Sequence, residues 1–331
     1  DHSMRIYECA DYRAMSRQAA NIISANVQYG QIEKIKEVAG VQEVILENRY
    51  EPCVVKQEET ADPNMATSDK MIGSSAAWAA GYTGAGSRIA IIDTGADVDH
   101  PSLDPDALKY ALQGSNATIM TEADLTDEVL NQLNAYTRKA GLTAADFYVN
   151  EKIPFGFNYV DADTDITHDN DTQGDHGSHV TGIAAGNRFV KDEAGNYVAA
   201  LDSVMTQGVA PDAQILTMKV FGKRGGAYDS DYMVAIEDAM VLGADAANLS
   251  LGGSFPGYSE YTEEKYRHIL DEIVGSGMVV TISAGNSGSW FDQTAFGLPY
   301  AGSVNWATNG SPGSYVNSLC VASVDNAGVT D

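Results

Sequence analysis

Apolar residues fall in short unbroken blocks separated by segments of helical spacing. Arg88–Ile92, Ile215–Val220, Ala246–Leu251, Val279–Ser283 and Leu319–Val324 each read as a strand. His179–Ala185, Ser230–Leu242 and Glu263–Gly275 read as helices between them. Strands that are apolar on both faces and alternate with helices predict an α/β fold with a mostly parallel sheet covered on both sides. Upstream the pattern is that of a small α+β unit. Ala20–Tyr29 reads as a strand, and Gln31–Val38 has helical apolar spacing at Ile32, Ile35 and Val38. Gly40 is a stop signal, and Val41–Ile45 reads as a second strand. Residues 57–70 are polar, contain Pro63 and read as an exposed linker. The expected organisation is therefore a small unit over 1–60, a linker over 61–70 and a large domain over 71–331. An insertion near 104–150 carries polar helical sequence such as Thr121–Lys139.

Composition narrows the classes of function. The chain has 331 residues, 44% of them hydrophobic, enough for a sizeable core. Twenty basic residues against 46 acidic ones give a net charge of −26. Such a surface repels phosphate backbones, so nucleic acid is not an expected partner. No apolar stretch reaches the length of a membrane span, and no signal peptide is visible at Asp1. Three cysteines, Cys9, Cys53 and Cys320, are an odd count at wide spacing and no disulfide framework, although Cys9 and Cys53 could pair. Cys320, in the apolar run 319–322, reads as a buried small hydrophobe.

Three segments carry candidate chemistry. In Arg88-Ile-Ala-Ile-Ile-Asp93-Thr-Gly95 a buried strand ends in an aspartate, where open α/β sheets collect functional groups. A turn-capping aspartate or a phosphatase nucleophile would look the same. In Asp175-His176-Gly-Ser-His179-Val-Thr-Gly182 a histidine stands at the start of a helix whose small residues permit close packing. His176 and His179 are three apart, a metal-pair spacing, but no third ligand is indicated. In Thr281-Ile-Ser-Ala-Gly-Asn286-Ser-Gly288 a strand ends in a glycine turn presenting an amide. That amide suits an oxyanion donor, and equally an asparagine in a left-handed turn.

Taken in order, these three motifs resemble the subtilisin family of serine proteases. So do Gly208-Val-Ala-Pro211, Met218-Lys-Val-Phe221 and Asn248-Leu-Ser-Leu-Gly-Gly253. Ile153-Pro-Phe-Gly-Phe-Asn-Tyr-Val-Asp-Ala-Asp and the 83 positions between Asp93 and His176 are similar to the cell-envelope branch, the lactocepin and C5a peptidase type. The resemblance covers residues 71–331 and implies a subtilisin-like three-layer fold. It implies a secreted endopeptidase, extracellular or attached to the wall of a Gram-positive bacterium, with polypeptide substrates. Asp93 would orient the general base His176, and Asn286 would serve the oxyanion. Ser250, Leu251, Gly252, Gly253, Ala284 and Gly285 would wall the substrate pocket. Gly225, Gly226 and Tyr228 would offer an edge to which a substrate backbone adds as a strand.

Val27-Gln-Tyr-Gly-Gln-Ile-Glu-Lys-Ile-Lys is similar to the second half of a subtilisin propeptide. That implies a tail near Tyr50–Val55 running through the active site, with the chain's own propeptide as a partner. The family's nucleophilic serine motif is absent, and only 45 residues follow Asn286. Ser287, Ser311 and Ser314 do not fit it. The serine is expected on a continuation of the chain or on a second chain, and these residues alone are expected to be inactive. A peptide-gripping module without a nucleophile is the alternative. No cofactor is needed for the chemistry. The carboxylate run Asp161-Ala-Asp163-Thr-Asp165 suits structural calcium, or else a solvated acidic loop.

Overall fold

The computed structural model describes residues 10–16, 22–52, 65–169, 171–253, 271–286, 309–315 and 318–323. An antiparallel pair, β1 (Ala10–Ser16) and β2 (Ile22–Val27), comes first. Helical turns over Tyr29–Gln31 and Ile32–Lys36 follow, then β3 (Arg49–Pro52). Helices Met65–Ile72 and Ser74–Ala79 lead into the large domain. Its strands are β4 (Arg88–Asp93), β5 (Phe155–Asn158), the pair β6 (Phe189–Lys191) and β7 (Tyr197–Ala199), β8 (Gln214–Lys219), β9 (Ala227–Tyr228), β10 (Ala246–Leu249), β11 (Leu251–Gly252), β12 (Val279–Ser283) and β13 (Leu319–Val321).

Six of these form one sheet in the order β13-β12-β10-β4-β8-β5, with every neighbouring pair parallel. The register sets Leu249 against both Ile92 and Ile282, so β4, β10 and β12 end level at their carboxyl ends. Alternate residues of one strand serve opposite layers. Ile92 joins a core with Leu216, Met218, Leu249 and the Asp229–Val241 helix, while Ile91 joins one with Ile153, Ala185 and Ile215. This is the α/β arrangement expected, with helices on the sheet. All six residues of β8 are buried, including Gln214, whose amide bonds the backbone of Met120 and Glu151.

The first unit, the linker and the insertion each depart from expectation in one place. No strand forms over 41–45, and that stretch is irregular through residue 48. Its polar ends are drawn elsewhere: Glu47 accepts from Ser24 and the Ser230 backbone, and the Asn48 backbone donates to Asp229. The strand comes instead at β3. The expected linker is helical from Met65, because MATSDKMI has no breaker after Pro63 and Asn64. Thr121–Lys139 is not one helix but turns over Glu122–Asp124, Asp127–Leu130 and Asn134–Arg138. Thr121 and Thr126 restart the chain as caps.

The last of these turns docks on the Asp229–Val241 helix through buried acids. Asp238 accepts from the backbone of Asn134 and Ala135 and from the Tyr159 hydroxyl, and Arg138 pairs with Asp231 at 3.2 Å. Burial pushes the Asp238 carboxyl up to about 7, against those donors. Cys320 is half-buried rather than buried, its thiol 3.2 Å from Asn309 Oδ1. Cys9 and Cys53 lie outside the described residues. Among the described residues no helix is long and apolar enough to cross a membrane.

Candidate active site

Asp93 is the last residue of β4, and its side chain is wholly buried. His176 opens the His176–Ala185 helix, and its Nδ1 lies 2.8 Å from Asp93 Oδ1. The two meet because the strand-end turn and the helix start are pressed together. Gly177 donates its backbone N–H to Thr94 Oγ1 at 2.8 Å, and Thr94 donates its own to Asp93 Oδ1 at 2.7 Å. A Cβ on Gly177 would stand 2.1 Å from the Gly95 carbonyl oxygen. Gly95 has φ +108°, and a Cβ there would stand 2.2 Å from the Ile166 carbonyl. Both glycines are dictated by this contact. Gly182, in the same helix, has open space where its Cβ would be. Helix packing on the sheet therefore depends on Gly177, not on every small residue of the motif.

A buried ion pair supports the turn from behind. Lys219, at the end of β8, is paired with Asp93 across the sheet. Its Nζ donates to the Thr94 carbonyl and to Asp171, and both charged side chains are almost completely buried. Ser178 accepts from the Asp97 backbone at 2.7 Å, closing the opposite side. Asp93 Oδ2 is buried with no hydrogen-bond partner among the described residues. His179 is exposed, three positions along the helix from His176.

Two stretches of the predicted substrate-binding residues, in β9 and β11, flank the chain's own β3. β3 pairs antiparallel with β9 on one side, Arg49 with Tyr228 and Tyr50 with Ala227. On the other side it pairs with β11, Leu251 with Pro52 and Gly252 with Glu51. Gly225 and Gly226 both have positive φ, and a Cβ on Gly226 would stand 2.1 Å from Arg49 Nε, so Gly226 leaves room for the Arg49 side chain. Ser250 links β10 to β11, and its hydroxyl accepts from Asn248 Nδ2 at 3.1 Å. Gly253 donates to the Ser311 carbonyl, and the Ala284 carbonyl accepts from Gly310. Gly285 takes φ +91° beyond β12, and the exposed Asn286 follows. Parallel register brings Asp93, Ser250 and the 284–286 turn to one end of the sheet. Ser311 and Ser314 bond each other at 2.9 Å, and Ser287 lies outside the described residues.

The pocket behind β3 holds residues that sequence reasoning did not single out. Tyr50 is wholly buried, its ring edge-on to Tyr232 at 5.3 Å, and its hydroxyl donates to Asp229 Oδ1 at 2.7 Å. Asp229 Oδ2 takes the Asn48 N–H at 2.7 Å. Burial pushes the Asp229 carboxyl up to about 6 against these donors. The available signals were an aspartate directly after the expected binding edge at Tyr228, and a lysine inside the apolar block 215–220.

The acidic run does not converge on a cation position. Asp161 Oδ2 accepts from Asn158 Nδ2 and the Lys223 backbone, while Asp163 and Asp165 face the Lys223 ammonium at 3.9 and 3.3 Å. Among the described residues no group of three or more His, Cys, Asp or Glu is placed to hold a metal.

The model of the subtilase family, peptidase S8, matches residues 84–330. The chain is 32% identical over 317 residues to the PI-type proteinase of Lactococcus lactis subsp. cremoris, covering 93% of this chain and 14% of that protein. It is 30% identical over 249 residues to the minor extracellular protease Vpr of Bacillus subtilis (strain 168), covering 73% of this chain and 23% of that protein. It is 29% identical over 242 residues to the C5a peptidase of Streptococcus pyogenes serotype M6, covering 72% of this chain and 18% of that protein. The chain thus spans about one seventh of the length of the lactococcal proteinase.

Proposed function

The chain belongs to the subtilase family of proteases, and on that premise we propose that it supplies two members of the catalytic triad and the substrate cleft of a secreted serine endopeptidase. The observation that carries this reading is the 2.8 Å contact of His176 Nδ1 with the buried Asp93. An ionised carboxylate only accepts, so it holds the proton on Nδ1 and leaves Nε2 as the base. Nε2 then takes the hydroxyl proton of a serine supplied by sequence outside these 331 residues, on the same or a second chain. The serine oxygen attacks the substrate carbonyl, and the Asn286 amide donates to the oxyanion. His176 returns the proton to the departing amine, and water releases the acyl group by the same exchange. Asp93 offsets the imidazolium charge throughout. Without the serine, these residues hydrolyse peptides negligibly.

Residues 1–60 serve as an intramolecular inhibitor. Support comes from β3, which occupies the slot between β9 and β11 as an added strand. The protein acts outside the cell or at the cell wall of a Gram-positive bacterium. The test is His176→Ala in the complete protein: amide hydrolysis is lost, whereas hydrolysis at the wild-type rate overturns the assignment.

A further inference from the structure

We infer that Asp229 makes the pocket now filled by Tyr50 selective for a substrate tyrosine, by accepting its phenolic hydroxyl. The inference rests on reading β3 as standing in the substrate's place. The pocket recognises two features at once. Its wall is apolar and aromatic: Ala227, Tyr232 and Leu251 share one buried core with the Tyr50 that fills it, and the Tyr50 ring meets Tyr232 edge-on at 5.3 Å and 83°. Its end is a carboxylate, with Oδ1 2.7 Å from the Tyr50 hydroxyl and 3.2 Å from that of Tyr232. A phenylalanine would fill the same volume but forgo the 2.7 Å bond, the shorter of the two phenolic bonds to Oδ1 of a 6%-exposed residue. Sites built to bond a hydroxyl discriminate strongly against the ring that lacks it. A lysine would bring a donor but lose the ring contact and bury an ammonium among aromatic groups.

The same carboxylate also reads the main chain. Asp229 Oδ2 accepts the N–H of Asn48, two residues before the tyrosine, at 2.7 Å and its side-chain amide at 3.0 Å. The tyrosine must therefore arrive in an extended chain that continues upstream. Asp229 follows β9 immediately, so the residue that pairs with Ala227 is the one whose side chain the pocket receives. This predicts preference at one fixed distance from the cleaved bond rather than a general liking for aromatic residues.

Two measurements separate this inference from the peptidase reading. In this chain, hydrogen exchange of the amides over 49–51 is compared for wild type, Tyr50→Phe, Asp229→Ala and the double variant. Tyr50→Phe is expected to speed opening about 10- to 100-fold in the wild-type background, and by less than about threefold once Asp229 is alanine. Equal effects in both backgrounds overturn the inference. The complete protein is then given a peptide library, and its cuts are read by mass spectrometry. Tyrosine should exceed phenylalanine about tenfold or more at a single fixed distance upstream, and the ratio should fall to near one in Asp229→Ala. A merely structural role for Asp229 would lower both rates together and leave the ratio unchanged, which also overturns it. Cuts without a tyrosine preference refute the selectivity and leave the peptidase standing. Absence of any cut refutes the peptidase, and the exchange comparison still decides whether Asp229 reads the phenol.

Discussion

Gly177→Ala tests how the histidine is brought to its aspartate. The new methyl would stand 2.1 Å from the Gly95 carbonyl oxygen, 2.9 Å from the Gly95 nitrogen and 3.1 Å from that of Thr94. All three are backbone atoms and cannot rotate away. Opening the gap from 2.1 Å to an ordinary 3.4 Å contact displaces the helix start by about 1.3 Å. The 2.8 Å bond from His176 to Asp93 would stretch to about 4 Å, and the bond from Gly177 to Thr94 would break with it. Overpacking of this kind costs about 1–3 kcal/mol, and a misplacement of about 1 Å costs about 100-fold in rate. The assay is kcat/KM for a peptide amide in the complete protein, with the thermal midpoint alongside. Gly182→Ala is the matched control, since its methyl meets nothing within 4 Å. It should leave activity unchanged and add about 0.5–1 kcal/mol of stability. Wild-type kcat/KM in Gly177→Ala, with the His176 Nδ1 proton still hydrogen-bonded by NMR, would refute the reasoning.

Tyr50→Ala empties the pocket behind β3 and removes an aromatic side chain worth about 3–5 kcal/mol. Exchange over 49–51 should accelerate at least about 100-fold, while Leu46→Ala, at a 77%-exposed position, changes it little. Lys219→Met leaves Asp171 buried without its partner and should cost about 3–5 kcal/mol in urea unfolding. Adding Asp171→Leu should recover most of that loss, and a double variant no better than the single would contradict the pairing. Asp238 is raised in the folded protein to about 7 from the 3.8 of a free carboxyl. Its bound proton therefore stabilises the fold fully below about pH 4, and this contribution is lost as pH rises to about 7, by up to about 1.4 kcal/mol per pH unit. Asp238→Asn should flatten that slope, and an unchanged slope would contradict the assignment.

The parallel sheet was legible because its strands are apolar on both faces, a pattern that only a doubly covered sheet uses. The meeting of Asp93 and His176 followed from their motifs, since one ends a strand and the other begins a helix rich in glycine. The two edges that flank β3 were legible as turns and short apolar runs, in Gly225–Gly226 and Ser250–Gly253. What lies between them was only half legible. Arg49–Pro52 has no strand-like alternation, and its conformation is imposed by two partners far away in sequence. The pocket chemistry was hidden for the same reason. Asp229 reads as an ordinary first-turn acid of a helix until Tyr50 and Asn48 arrive from 180 residues upstream. The helix break before Asp127 was missed because Thr126 looks like an interior polar residue until its cap is seen.

The role of His176 as general base to a serine is decided by treating the complete protein, freed of the segment through residue 60, with a fluorophosphonate probe and locating the label by mass spectrometry. The account predicts one labelled serine, lying outside these 331 residues, and no label in His176→Ala. Labelling that persists in His176→Ala, a labelled serine within these residues, or no label at all would contradict it.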